Sequence, residues 1–202
     1  MADGAVIFER CDDGAFRQAE ILSSVTQLKR TMPVDSTPLA VDLVNHPYAI
    51  IISQDCDLDL DFRARMGLNG PNDKPVSSDK KIPNILLCEV VTAEQLRGLT
   101  EVNSTLLSRI KDNNDVRYHF FQKVDSSYDR ANTGLPEMAT DFKRYFTIPA
   151  DELYAQLAGS IVQRRTRLKS PYCEHFSTRF SHHLCRIALP LPHLSEASAD
   201  KQ

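Results

Sequence analysis

The residues with the densest chemical potential form an acidic ladder, Asp55-Cys56-Asp57-Leu58-Asp59-Leu60-Asp61. In an extended chain this ladder sets its carboxylates two residues apart on one face, a spacing suited to a cation held by oxygen ligands. A calcium loop of the EF-hand type needs Gly at its sixth position and Glu at its twelfth. Counted from Asp55 those positions hold Leu60 and Met66, and counted from Asp57 they hold Phe62 and Leu68, so that loop is excluded. The competing reading is a solvated strand end, with Asp55 and Asp57 forming an acidic turn. Cys56 sits between two aspartates, which disfavour the thiolate a nucleophile needs. A buried, inert thiol is therefore expected there, and likewise at Cys88 between Leu87 and Glu89.

A second group lies near the C-terminus. His175, Arg179, His182 and Arg186 follow one another at +4, +3 and +4, which puts them on one helical face. An arginine between the two histidines repels a cation, so this is a basic polar face rather than a zinc site. Upstream lies Arg164-Arg165-Thr166-Arg167-Leu168-Lys169. Between residues 141 and 190, eight Lys/Arg face four Asp/Glu, so this half is locally basic in a chain of net charge −3. Arg164, Arg165, Arg167, Lys169, Arg179 and Arg186 are the expected binding residues. Their partner is an acidic protein surface or, alternatively, a nucleic-acid backbone.

These residues need elements to position them. Tyr48-Ala49-Ile50-Ile51-Ile52 reads as a strand buried on both faces, entered through His46-Pro47. Ile85 to Val91 reads as a second buried strand. Thr92 with Gln95 forms a capping box that starts a helix, resuming to about Ile110. Arg117 to Phe121 and Asp141 to Ile148 give further strands, and Pro149 opens a short helix. Short strands are expected at Val6 to Phe8 and Phe16 to Val25, with a helix over Arg17 to Leu22 as the alternative. Pro33 to Pro38 is a linker, and Gly67 to Lys81 is a long polar loop. Pro171 starts a helix whose Phe176, Phe180, Leu184 and Ile187 draw one apolar stripe. The expected fold is α+β: a curved antiparallel sheet or SH3-like barrel with a connecting helix and a C-terminal amphipathic helix. Residues 1–190 make one domain, with a barrel-like core over about 15–150 and a helical layer over about 150–190; 191–202 form a flexible tail.

Composition bounds the class. The length of 202 residues suffices for a core without disulfides or metal. Five widely spaced cysteines without a CxxC argue against a disulfide framework or a zinc ribbon. No apolar run approaches the length of a membrane span, and no leader is read at the N-terminus, so a cytoplasmic protein with no membrane partner is expected. Walker, GxGxxG, GxSxG and HExxH motifs are absent, and no cofactor is expected.

The stretch Pro47-Tyr48-Ala49-Ile50-Ile51-Ile52-Ser53-Gln54-Asp55 resembles the Pro-Val-Val-Val-x-Ser-Asn-Asp strand of the MazF/PemK/CcdB toxins. Glu20-Ile21-Leu22 stands where those toxins carry their initial Gly-Asp-Ile/Val segment. The resemblance spans at most residues 15 to 125. Ser53 to Asp57 is also similar to a Ser-Gln-x-Cys-Asp signature of uncharacterised bacterial proteins. The strand end resembles the aspartate-nucleophile phosphatases only at its Asp-x-Asp, with Asp59 where they hold Thr or Val. In the RNA-cutting toxins an Arg before the strand and a Ser/Thr ending the next one carry catalysis. Here those positions hold His46 and Thr92. The resemblance thus implies a toxin-like barrel that lacks the Arg, and a non-catalytic protein-interaction module is the leading expectation. The alternatives are a ribonuclease using His46 as acid/base with Thr92 near the phosphate, and RNA or DNA binding without cleavage.

Overall fold

Tyr48 to Ile52 forms the centre of the sheet because almost every side chain in it is apolar and finds cover on one face or the other. A computed structural model describes residues 6–31 and 40–185. The strands are β1 (Phe8–Glu9), β2 (Glu20–Thr31), β3 (Ala40–Ile51), β4 (Asn84–Thr92), β5 (Tyr118–Phe121), β6 (Met138–Pro149) and β7 (Gln163–Leu168). They build one curved, fully antiparallel sheet in the order β1-β7-β2-β3-β4-β6-β5. The helices are α1 (Asp55–Met66), α2 (Ala93–Arg97), α3 (Ser104–Lys111), α4 (Ala150–Ala158) and α5 (Tyr172–Leu184). The architecture is therefore the expected α+β, a curved sheet with helices against it. Among the described residues, no helix is long and apolar enough to cross a membrane.

Both faces of the central strands are covered. Ile21, Ile50 and Cys88 pack with Phe121, Phe142 and the α5 residues Phe176 and Phe180. Leu22, Ala49, Ile51 and Leu87 pack on the opposite side with Leu58 of α1 and Leu153 of α4. A smaller cluster joins Leu96, Ile110 and Tyr118 at the far edge. Cys88 is buried, and burial pushes its thiol up to about 12, so its reading as inert holds.

Several local expectations are corrected. Arg17 to Leu22 is not helical: Glu20 opens β2. The acidic ladder is not extended. It is helix α1, so its carboxylates wind around the axis instead of lining one face. Acidic Asp55 and Asp57 in the first turn and basic Arg63 and Arg65 in the last complement the helix dipole. Asp59 and Asp61 pair four residues on with Arg63 and Arg65. Gly67, at φ 65°, ends the helix in the left-handed conformation its missing Cβ permits. Asp61 is fully buried, and it also accepts the backbone N–H of Ile82 at 2.9 Å, which ties down the end of the long loop.

The basic run becomes β7, pairing with β1 and β2. The capping box is present: the Thr92 hydroxyl accepts from Gln95 N–H at 3.2 Å and Gln95 Oε1 accepts from Thr92 N–H at 2.8 Å. In the α5 stripe Phe176 and Phe180 are buried while Leu184 is exposed. The linker Pro33 to Pro38, Arg186, Ile187 and the tail 191–202 lie outside the described residues.

Candidate interaction site

Most of the described residues singled out for binding have partners within the fold. Arg164 lies inside the sheet against Glu20, with a 2.8 Å bond from Nη2 to Oε2 and a second, shorter one from Nε. It also donates to the carbonyls of Gly14 and Ala15, fastening the loop before β2. Arg165 makes a two-pronged pair with buried Asp129, both bonds 2.8 Å, and donates to the Thr133 hydroxyl. Burial pushes the Asp129 carboxyl upward, but Arg165, the Ala131 N–H and Thr133 outweigh it and hold the group at about 2. Arg167 joins Glu9 and Asp55, each at 3.3 Å. Arg179 is half-buried and donates to the carbonyls of Asp115 and Tyr118, the latter at 2.7 Å. Lys169 is half-buried and its N–H bonds Ile7. Of the predicted basic strip, Arg164, Arg165 and Arg167 are thus engaged in ion pairs that hold β7, and Arg164 and Arg165 are buried.

Asp55 is likewise internal in role. It accepts from Gln18 N–H at 3.0 Å and pairs with Arg17 and Arg167, joining α1 to the β2 entry and to β7. Asp57 is exposed. Cys56 is exposed on the first turn of α1, contrary to the buried thiol expected, with Sγ 3.8 Å from Gln54 Oε1 and Asp57 Oδ1. No group of three or more His, Cys, Asp or Glu among the described residues is arranged to hold a metal ion.

His46 and Thr92 are each engaged in local contacts. His46 is buried and stacks on Phe146 with ring centroids 4.0 Å apart, and its Nε2 lies 3.4 Å from Gln27 Oε1. Burial lowers its pKa, against the opposing charge of Glu89. Thr92 spends its hydroxyl on the α2 cap. The groove beside it is lined by Glu94, Arg97, Lys123 and Glu137.

Among the described residues, the far half of the β2–β3 hairpin has no further strand beside it. β2 and β3 pair from Ile21↔Ile50 to Thr31↔Ala40, with one interruption at Ser24 and Pro47. Their outer neighbours stop early. β7 accompanies β2 only as far as Ser23, and β4 accompanies β3 only from Tyr48 to Ile51. Thr26–Thr31 and Ala40–Asn45 therefore extend as a two-stranded arm.

Ser24, at φ 61°, and Pro47, which has no N–H, mark where the arm leaves the sheet. No pairing joins these two residues, although the register continues unshifted on either side. Leu22 and Val25 consequently face the same core cluster despite their odd spacing. The outward direction beyond this break is fixed by α4. Thr26 N–H donates to Gln156 Oε1 at 3.0 Å, and Thr26 C=O accepts from Gln156 Nε2 at 2.7 Å. Thr26 thus points its backbone away from β3. In an antiparallel pair that direction alternates, and directly opposite residues share it. The pairs Thr26↔Asn45, Leu28↔Leu43 and Arg30↔Val41 therefore all turn N–H and C=O outward.

The two edges differ. Gln156 plugs the β2 edge at Thr26, as an edge strand usually requires. Along β3, Val41, Leu43 and Asn45 offer an outward backbone row with no strand beside it among the described residues. On the same face Leu28 and Val41 are each 56 % exposed and Leu43 71 %. Sequence reasoning passed over this row, although its signal, Val41-Asp42-Leu43 in alternation, is present. Comparison with protein-family models, curated proteins and solved structures finds no match to the chain.

Proposed function

We propose that the protein is a non-catalytic docking module that takes up a strand of a protein partner along the outer edge of β3 in the arm. The observation that carries this reading is the outward backbone row of Val41, Leu43 and Asn45 beside exposed Leu28 and Leu43. Strand addition draws affinity from main-chain hydrogen bonds and specificity from alternate side chains, and this edge presents both. An isolated two-stranded ribbon is marginal in water, so a third strand also stabilises the arm itself. His46 and Thr92, each held in a structural role, give no support to cleavage chemistry. The setting we infer from the toxin resemblance is a bacterial toxin-like or defence and regulatory system, and the free cysteines favour a reducing compartment such as the cytoplasm.

Photo-crosslinking in the native cell tests this. With benzoylphenylalanine at Leu28, a discrete protein adduct is expected, and it disappears when Leu43→Pro is added. Placing the same probe at Tyr145, an exposed position on another part of the sheet, yields no such adduct. An adduct indifferent to Leu43→Pro, or none at all, refutes the reading.

A further inference from the structure

We infer that the occupant of the β3 edge is a second copy of this chain, joined antiparallel about a two-fold axis at Leu43. This rests on the docking reading above and names its partner. Because the outward residues are Val41, Leu43 and Asn45, two copies can meet only in registers that set odd-numbered residues opposite one another. Three such two-fold registers are available on the arm.

Centring on Asp42 sets its carboxylate directly against the same carboxylate of the other copy, in the type of pair where side chains come closest, and like charges so placed repel. Centring on Val44 brings Val41 opposite Pro47, which has no N–H to donate, and runs into buried His46. Centring on Leu43 avoids both faults. It sets Leu43 against Leu43 and Val41 against Asn45, each pair exchanging two bonds, for about six hydrogen bonds in all.

The side chains agree with this register. Leu28 lies directly across from Leu43 within each hairpin. The two copies together therefore line up Leu28, Leu43, Leu43 and Leu28 as one row across four strands, covering the most exposed apolar side chains of the arm. On the opposite face Asp42 keeps Lys29 as its neighbour across the hairpin and meets Val44 of the other copy. The arrangement is isologous, so it closes at two copies and does not propagate. The opposite edge offers a shorter row, because Gln156 already holds the Thr26 backbone groups.

Sedimentation velocity on the full chain, from about 1 μM to about 500 μM as so small a contact demands, tests the inference. The wild type is expected to double in mass as concentration rises. Leu43→Pro removes an outward N–H and leaves the hairpin's own ladder intact, so it stays monomeric, with a dimer dissociation constant raised at least tenfold and an unchanged circular dichroism spectrum. In a Cys56→Ser, Cys185→Ser background, Leu43→Cys is expected to form a symmetric disulfide dimer, since Cα atoms in such a pair lie about 5.5 Å apart, within disulfide reach. This variant answers the question even if Leu43→Pro fails to fold. A wild type that stays monomeric at the highest concentration without crosslinking of Leu43→Cys overturns the inference, as does a dimer that a folded Leu43→Pro leaves intact. If self-association fails while the Leu28 photo-adduct contains a different protein and still depends on Leu43, the docking reading stands and only the second-copy assignment falls.

Discussion

Acid should weaken this fold well above the range where carboxylates titrate, and His119 supplies the reason. Its ring lies on β5 among Phe121, Phe142, Phe176 and His175, is 5 % exposed, and its Nδ1 has no hydrogen-bond partner among the described residues. Burial, reinforced by the charges of Arg179 and His175, holds its pKa at about 3. In the unfolded chain the ring takes a proton near the ordinary value of about 6.5. Between those values the unfolded state binds a proton that the native state refuses, so stability falls as pH drops below 6.5 and stops falling on this account near 3. From pH 7 to pH 5 the loss amounts to about 2 kcal/mol from this one group. His119→Phe keeps an aromatic ring in an aromatic setting and removes the titration. Urea unfolding of both proteins at pH 7, 6 and 5 should show the variant losing about 2 kcal/mol less over that span. His46, also lowered by burial, contributes in the same direction to both proteins and cancels in the comparison. Parallel pH dependences for wild type and variant would refute the account of a neutral, buried His119.

Other outcomes follow from the same contacts. Asp129→Asn leaves Arg165 buried without its counter-charge and should cost about 3 kcal/mol or more in chemical denaturation; a loss below about 1 kcal/mol contradicts the buried pair. Thr92→Ala removes the α2 cap and should cost about 1 kcal/mol, read as a lower urea midpoint with an unchanged slope. Gln156→Ala frees the Thr26 backbone groups, so the Thr26 amide should exchange at least tenfold faster with solvent while the Ile50 amide is unaffected.

How much of this was legible in the sequence depended on where the partners lie. The strands at Tyr48 to Ile52 and Ile85 to Val91 announce themselves through apolar runs, and the α2 start through a cap complete within four residues. The fold class follows from them. Helix α1 was hidden because four aspartates in alternation mimic an extended face, while its inward residue Leu58 has few apolar companions. β7 was hidden because Arg164 and Arg165 read as surface charge until their counter-charges are known. Those are Glu20 and Asp129, separated from them by 144 and 36 residues. The arm was hidden for a subtler reason. Alternation in Val41-Asp42-Leu43 says that one face is apolar, but not that the sheet's packing ends at Ser24 and Pro47 before that face is covered.

The most direct test of the docking edge is residue-resolved amide exchange along β3 at low and high protein concentration. In dilute solution the outward amides of Val41, Leu43 and Asn45 should exchange fast, while the inward amides of Asp42 and Val44, bonded to β2, exchange slowly. When a strand adds to the edge, the outward set should become slow and the inward set should stay so. Outward amides that are already slow in dilute protein, or that remain fast when the protein is concentrated and when a captured partner is added, would contradict the claim that this edge is where the protein binds.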